Sequence, residues 1–235
     1  MMIQRKLIDY LSGFVTPHRV ETIEKILKQR TRYITIVLED LFQAQNASAV
    51  LRTCDCFGIQ DVHIIENKNK FKVNPEIAMG ASKWLNLFQY NQQDTNNTLE
   101  VIKSLKQKGY RIVATAPEGK GVKLEEFDLS KGKIALFFGT ELQGLTEDVF
   151  INADEFLTIP IVGFTESFNI SVSAGIILHH LSCQLRKSGI NWALSENEIQ
   201  NLKTEWLKKS LKDADLIEKQ FYKSLPLRND LKKTD

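Results

Sequence analysis

Cysteine is scarce. Cys54, Cys56 and Cys183 are three residues in a chain of 235, too few for a disulfide scaffold and in keeping with a reducing compartment; a cytoplasmic location is expected. Metal-site spacing is also missing. Cys54-x-Cys56 lacks the gap of a structural zinc half-site and no second pair follows. His179 and His180 are adjacent, so a helix cannot present them at i, i+4; no metal is expected. Long apolar runs are absent, and the opening MMIQRKLIDYL carries Asp9 and no apolar signal core, so neither secretion nor a membrane span is expected. There is no G-x-S-x-G, and no G-x-G-x-x-G follows the first strand. The pair Gly119-Lys120-Gly121 does not open a helix. Hydrolase elbows and the usual dinucleotide site therefore lack support. Repeats and low-complexity linkers are absent too.

Hydrophobic residues make up 43% of the chain, enough for a sizeable core. The length suits one generous domain or a main domain with short additions. Net charge is only +2, but it is unevenly spread: residues 1–35 carry +4, residues 36–200 carry −5 and residues 201–235 carry +3. Basic ends around an acidic middle are compatible with a polyanion partner, and equally with two solvated helical regions.

Periodicity divides the chain further. IQRKLIDYL (3–11) and RVETIEKILKQR (19–30) read as helices, with Leu7, Ile8 and Leu11, then Val20, Ile23, Ile26 and Leu27, spaced for apolar faces, and Thr16 before Pro17 marks a helix start. YITIVLED (33–40), a helix over 46–58 ending at Gly58, and DVHIIE (61–66) read as strand, helix, strand, the signature of a βαβ unit. Further strands are expected at 84–90, 110–115 and 133–139, and a short one within 155–163 stopped near Pro160, with a helix closed by Gly109. The continuous apolar run KIALFFG (133–139) predicts a central strand. The loop 116–124 is punctuated by a proline and two glycines. Residues 171–189 predict a buried helix in which Gly175 permits close packing. The segment 195–225 reads as helical, with Ser195 and Glu198 spaced as a capping box and Leu202, Trp206 and Leu207 on one face. The fold class is α/β with a mostly parallel sheet and helical ends.

Three loop-centred clusters carry chemistry. In the first, Asn46-Ala-Ser48-Ala-Val-Leu-Arg52 follows a strand; Arg52 can grip a phosphate with two donors or pair with Asp55 at i+3. The second is Phe138-Gly139-Thr140-Glu141-Leu142-Gln143-Gly144-Leu145. Its glycines expose backbone to a ligand. Glu141 can orient Arg52 or a ligand hydroxyl, or cap a helix beginning near Thr146. The third runs from Ile159-Pro160 to Ser167-Phe168-Asn169-Ile-Ser171-Val-Ser173. Its small polar residues can cap the long helix or bind a ligand's polar ends.

Together the three clusters, in this order and spacing, resemble the motifs of the SPOUT class of S-adenosyl-L-methionine-dependent RNA methyltransferases, SpoU branch. The resemblance spans roughly residues 33–188. Within that branch Leu38-Glu39-Asp40 through Thr53-x-Asp55-x-x-Gly58, Ala81-Ser82-Lys83-Trp84 and the helical ends are similar to the TrmH family.

That resemblance implies a deep trefoil knot near the third motif and a homodimer whose active sites use both chains. It implies an N-terminal helical extension (1–32), a knotted catalytic domain (33–189) and a C-terminal helical tRNA-binding extension (190–235). The implied reaction is metal-free transfer of a methyl group from S-adenosyl-L-methionine to the ribose 2′-hydroxyl of guanosine-18 in the tRNA D-loop, by direct displacement. Arg52 becomes the catalytic arginine, contacting the phosphate beside the target ribose. It is unsuited to act as a free neutral base, since guanidinium holds its proton so firmly. Asn46, Glu141, Ser167 and Asn169 complete the catalytic constellation. Thr115, Ala116, Gly139, Gly144, Leu145, Ile159, Phe168 and Ser173 line the cofactor pocket, largely through backbone. One departure stands out: Cys183 and Leu185 occupy positions where TrmH proteins usually offer arginines to RNA, and Arg186 and Lys187 lie at different helical angles. Alternatives of the same scaffold are methylation of an rRNA guanosine or of the tRNA wobble nucleotide, and a non-catalytic RNA-binding protein.

Overall fold

The computed structural model describes residues 2–116, 121–140 and 143–225. Along the chain run α1 (Met2–Ser12), α2 (Pro17–Leu27), β1 (Ile34–Glu39), α3 (Ala44–Phe57), β2 (Asp61–Ile65), α4 (Pro75–Ala78) and β3 (Asn86–Tyr90). They continue with α5 (Asn97–Gln107), β4 (Arg111–Thr115), β5 (Val122–Lys123), β6 (Ile134–Phe138), α6 (Glu147–Asn152) and β7 (Glu155–Thr158). Last come α7 (Ile170–Lys187), α8 (Glu196–Lys209) and α9 (Ala214–Ser224). The chain divides into two compact units, residues 30–193 and residues 2–29 with 194–225.

In the larger unit an apolar strand needs cover on both faces, and β6 has it. All five of its residues are buried, and it lies fourth in a sheet of order β3-β2-β1-β6-β4-β7-β5. Every pairing between these strands is parallel, as the βαβ reading requires. Alternate residues of β1 and β6 supply two separate cores. Ile34, Ile36 and Leu38 pack with Val50 and Leu51 of α3 and Ile177, Leu178 and Leu181 of α7. Val37, Ala135 and Phe137 pack with Val101, Ile102 and Leu105 of α5 and Val149 of α6. Each such side chain contributes about 1.5–3 kcal/mol when fully buried. Helix α3 stops at Gly58, whose φ of 77° turns the chain toward β2.

The structure corrects several expectations. Helix α2 ends at Leu27 and leaves Arg30 in the larger unit, where it is buried and donates to the Ile59 carbonyl at 3.0 Å and to Asp55. β3 starts only at Asn86, because Ala81–Lys83 forms a single 3-10 turn capped by Trp84. Within the punctuated loop, Val122–Lys123 adds a short exposed edge strand, while Pro117-Glu118-Gly119-Lys120 lies outside the described residues. Gly175 is not closely packed among the described residues, since a Cβ there would meet none of them within 4 Å.

In the smaller unit, local chemistry matches the sequence. The Thr16 side chain caps α2 by accepting from the Arg19 N–H, and Ser195 with Glu198 forms a capping box at α8. Leu202, Trp206 and Leu207 are buried. They share the unit with buried Leu7, Leu11, Ile23, Leu27 and Phe221. Ile26, grouped by spacing with that face, is instead 40% exposed.

A buried histidine makes the larger unit sensitive to acid. His63 of β2 is 3% exposed, stacks on Phe88 at 4.9 Å and shares a 3.0 Å hydrogen bond with the Tyr90 hydroxyl. Burial, and then the charge of Lys108, lowers its pKa to about 4. The unfolded chain therefore takes up a proton on this histidine near its ordinary value of 6.5, before the folded chain does. Stability is full above about pH 6.5 and falls as pH drops toward 4, by about 3 kcal/mol in total. Neighbouring Asp61 acts oppositely, because burial raises its carboxyl; its effect belongs to the window just above 3.8. Urea midpoints of wild type and His63→Gln should thus converge between pH 7 and pH 4. A constant gap would contradict the burial argument.

Candidate functional site

The carboxyl ends of the central strands open into a cleft of about 650 Å³, within the range of small-molecule sites. Its walls are apolar: Leu145, Leu157, Ile159, Ile161 and Ile177. Its rim is polar, with Thr115, Thr140, Gln143, Ser167, Asn169 and Ser173. This is where parallel sheets hold ligands, since the loops after adjacent strands meet there.

The second motif forms one edge. β6 ends at Phe138 and the chain folds back at once: Thr140 and Gly144 exchange backbone hydrogen bonds, each 3.0 Å. Gly144 adopts φ 69°, and a Cβ on Gly139 would overlap the carbonyl group of Gly144 and the nitrogen of Leu145. Both positions therefore require glycine. Glu141 lies outside the described residues. The helix near Thr146 begins without a side-chain cap from Thr146 itself. Instead Glu39, buried at the end of β1, accepts from the Thr146 N–H at 2.9 Å, the Thr146 hydroxyl at 2.8 Å and the Thr98 hydroxyl at 2.6 Å. Glu39 thus pins the exit of the glycine loop to β1 and α5.

The first and third motifs meet across the opposite edge. Asn169 caps α7: its Oδ1 accepts from the Ser171 N–H at 2.8 Å and the Ser171 hydroxyl at 2.6 Å. Its Nδ2 donates to Oδ1 of Asn46 at 3.1 Å, and Asn46 donates to Gln43 at 3.0 Å. One residue therefore both caps α7 and joins the third motif to the first. β4 adds Thr115, whose hydroxyl donates to the Phe137 carbonyl at 2.8 Å. The next residue, Ala116, pairs with Leu157 at 2.9 Å.

The cleft brings together Asn46, Thr115, Ala116, Gly139, Gly144, Leu145, Ile159, Ser167, Phe168, Asn169 and Ser173. Arg52 does not line it. Six residues after Asn46, it lies about 9 Å further along α3 and on another face. It is exposed, and makes no hydrogen bond or ion pair with a described residue. Asp55 is not its partner, because Asp55 pairs with Arg30. On α7, Leu185 is buried and Cys183 exposed. Arg186 reaches back to the Phe57 carbonyl at 2.9 Å and over the Trp192 ring at 5.4 Å, so it holds α3 to α7. Gln43 and Glu166 also line the cleft, and no sequence motif singles them out. Gln43 sits one helical turn before Asn46, which is the signal available for it.

Comparison with known proteins agrees with this geometry. The model of the SpoU rRNA Methylase family matches residues 33–179. The chain is 45% identical over 213 residues to a tRNA (guanosine(18)-2'-O)-methyltransferase of Borreliella burgdorferi, covering 91% of this chain and 95% of that protein. It is 28% identical to the protein of the same description from Escherichia coli K12, covering 80% and 81%. The solved TrmH/SpoU tRNA modifying enzyme of A. aeolicus superposes with a TM-score of 0.73 at 28% identity, over 83% of this chain and 97% of that one. A chain solved in work on 2-OH methylation of C/U34 on tRNA gives 0.54 at 25% identity, over 66% and 97%. The parallel sheet and flanking helices are of the SPOUT type, consistent with its knotted architecture. Motifs, sheet and cleft converge, and the chain belongs to the SpoU rRNA methylase family.

Proposed function

We propose that this chain is a tRNA (guanosine-18) 2′-O-methyltransferase that uses S-adenosyl-L-methionine and works as a homodimer in the cytoplasm. The observation that carries the reading is the cleft itself. Residues of three sequence motifs line one cleft, two of them joined by a hydrogen bond between residues 123 apart, while the exposed guanidinium of Arg52 stands on the helix beside it.

The residues present fit the cofactor. Apolar walls suit an adenosyl group, and the glycine loop, closed on itself at Gly139 and Gly144, presents backbone to the cleft. Glu166, a carboxylate lining the cleft, suits a cationic ligand. When bound there, S-adenosyl-L-methionine supplies an electrophilic methyl group. The chain's own work is positioning, since in-line transfer depends on orientation. The string Gln43–Asn46–Asn169 fixes the rim; Ser167 and Glu141 are assigned to the ribose and to Arg52. Arg52 grips the phosphate next to the target ribose and, through it, helps take up the hydroxyl proton.

Arg52 lies outside the cleft lining of its own chain, which supports active sites built from two chains. So do exposed Val162, Phe164, Phe168 and Val172 beside the cleft and the open side of α7 at Gly175. Three free thiols fit the cytoplasm. Residues 33–189 are assigned to catalysis, and 1–32 and 190–235 to RNA handling. Guanosine-18 is favoured over the wobble nucleotide because the C/U34 protein matches 66% of this chain, whereas the B. burgdorferi guanosine-18 enzyme matches 91%.

In the helical end, Lys203 and Lys208 are engaged by Glu24 and Glu218, each at 2.6 Å. Lys209, Lys212, Lys219 and Lys223 are exposed and make no ion pair with a described residue. Changing these four to glutamine should weaken tRNA binding and reduce its salt slope by about 0.7–0.9 for each phosphate no longer neutralised. An unchanged slope would reduce this end to ordinary solvated surface. For the function as a whole, the purified protein is given labelled cofactor with mixed tRNA and rRNA, and 2′-O-methylation is mapped by mass spectrometry. Modification at guanosine-18 is expected; modification confined to rRNA or to the anticodon loop rejects the reading.

A further inference from the structure

After β2 the chain enters residues 66–74, Glu-Asn-Lys-Asn-Lys-Phe-Lys-Val-Asn, with lysines at 68, 70 and 72. A free loop of this kind is a solvated charge run. This one is held at both ends. Asp40, just past β1, accepts at a single carboxylate oxygen from the N–H groups of Asn67, Lys68 and Asn69 at 2.7, 2.8 and 3.2 Å. Its own carbonyl accepts from the Asn69 side chain at 2.8 Å. Asp40 holds φ at 52° to do so, an uncommon backbone state for a residue with a Cβ. At the far end the Asn74 N–H donates to the Ser48 hydroxyl at 2.7 Å, and Asn74 then caps α4. Between the two anchors Phe71 and Val73 pack against the core while Lys70 and Lys72 stay exposed.

The anchor points locate the loop. Ser48 precedes Arg52 by one turn of α3, so both side chains share a face. Asp40 opens the segment that leads to Gln43 and Asn46 on the cleft rim. Lys68, Lys70 and Lys72 are exposed and make no ion pair with a described residue. They are a local reversal within a segment whose net charge is −5. We propose that Asp40 and Ser48 hold this loop as a preformed basic rail for the tRNA backbone beside the nucleotide that Arg52 addresses. The proposal rests on the functional reading above and adds a docking surface carried by the catalytic unit itself. Preformed anchoring matters because phosphate contacts set register, and a loop ordered only on binding gives back part of its contact energy.

The test compares wild type with Lys68→Gln/Lys70→Gln/Lys72→Gln. We expect tRNA affinity at 100 mM salt to fall roughly 10- to 100-fold and the log–log salt slope to drop by about 2–3. Affinity for S-adenosylhomocysteine, by calorimetry, should stay at the wild-type value. A second variant, Asp40→Ala, keeps the lysines but frees the loop; its kcat/KM for tRNA should fall more than its salt slope. Unchanged tRNA affinity and slope in the triple variant overturn the proposal. So does an equal loss of binding to heparin with an unaltered methylation rate, which marks unspecific attraction. Failure of the functional reading looks different, because then wild type itself leaves guanosine-18 unmethylated.

Discussion

Replacing Arg52 with alanine should lower methyl transfer to tRNA by roughly 10²–10³-fold and leave fold and cofactor affinity as they were. The expectation follows from where the side chain sits. Arg52 is exposed on α3 and makes no hydrogen bond or ion pair with a described residue, so its removal takes no support from the core. Its salt-bridge alternative fails because Asp55 is held by buried Arg30. Its assignment is to an external anion, since guanidinium matches phosphate with two parallel donors. Arg52→Lys keeps the charge but not the fork, and should fall between alanine and wild type. Single-turnover methyl incorporation, S-adenosylhomocysteine calorimetry and a thermal melt separate chemistry from binding and folding. Near-normal turnover in Arg52→Ala sinks its catalytic assignment.

Gly139→Ala should also be damaging, by a different route. The added Cβ would overlap backbone atoms of Gly144 and Leu145, and backbone cannot rotate away as a side chain can. The loop has little freedom to yield. It is closed by the Thr140–Gly144 pair of hydrogen bonds, and just beyond it Thr146 is tied to buried Glu39. Overpacking of this kind costs about 1–3 kcal/mol, which corresponds to roughly 10- to 100-fold in cofactor affinity if the strain falls on the cleft. Calorimetric titration with S-adenosylhomocysteine, with circular dichroism to verify the fold, measures it. Wild-type affinity would mean that the glycine loop does not shape the pocket.

Much of the fold is legible in the chain, for identifiable reasons. β6 announces itself because a parallel strand covered on both faces reads as a continuous apolar run, and β1 because it is short and rich in β-branched residues. Ser195 with Glu198 and Thr16 with Pro17 are local devices whose partners lie three residues or fewer away, so the sequence displays them whole. Asn46, Asn169 and the glycines are marked by the resemblance to a known family. Spacing by itself leaves their roles open, because the Asn46–Asn169 bond joins residues 123 apart. Glu39 is hidden for the same reason: its partners Thr98 and Thr146 lie 59 and 107 residues away. Arg30 reads as the end of a helix, yet it enters the larger unit to meet Asp55. Gly175 reads as a packing contact, and nothing in the periodicity tells whether the neighbour is this chain or another.

The central claim is that the ribose 2′-hydroxyl of guanosine-18 is the methyl acceptor. A tRNA carrying a single 2′-deoxyguanosine at position 18 tests it directly, because only the accepting oxygen is removed. With labelled cofactor, incorporation into the deoxy tRNA should stay at background level, alongside full incorporation into the unmodified transcript and similar binding of both. Incorporation into the deoxy tRNA at the level of the unmodified one would contradict it.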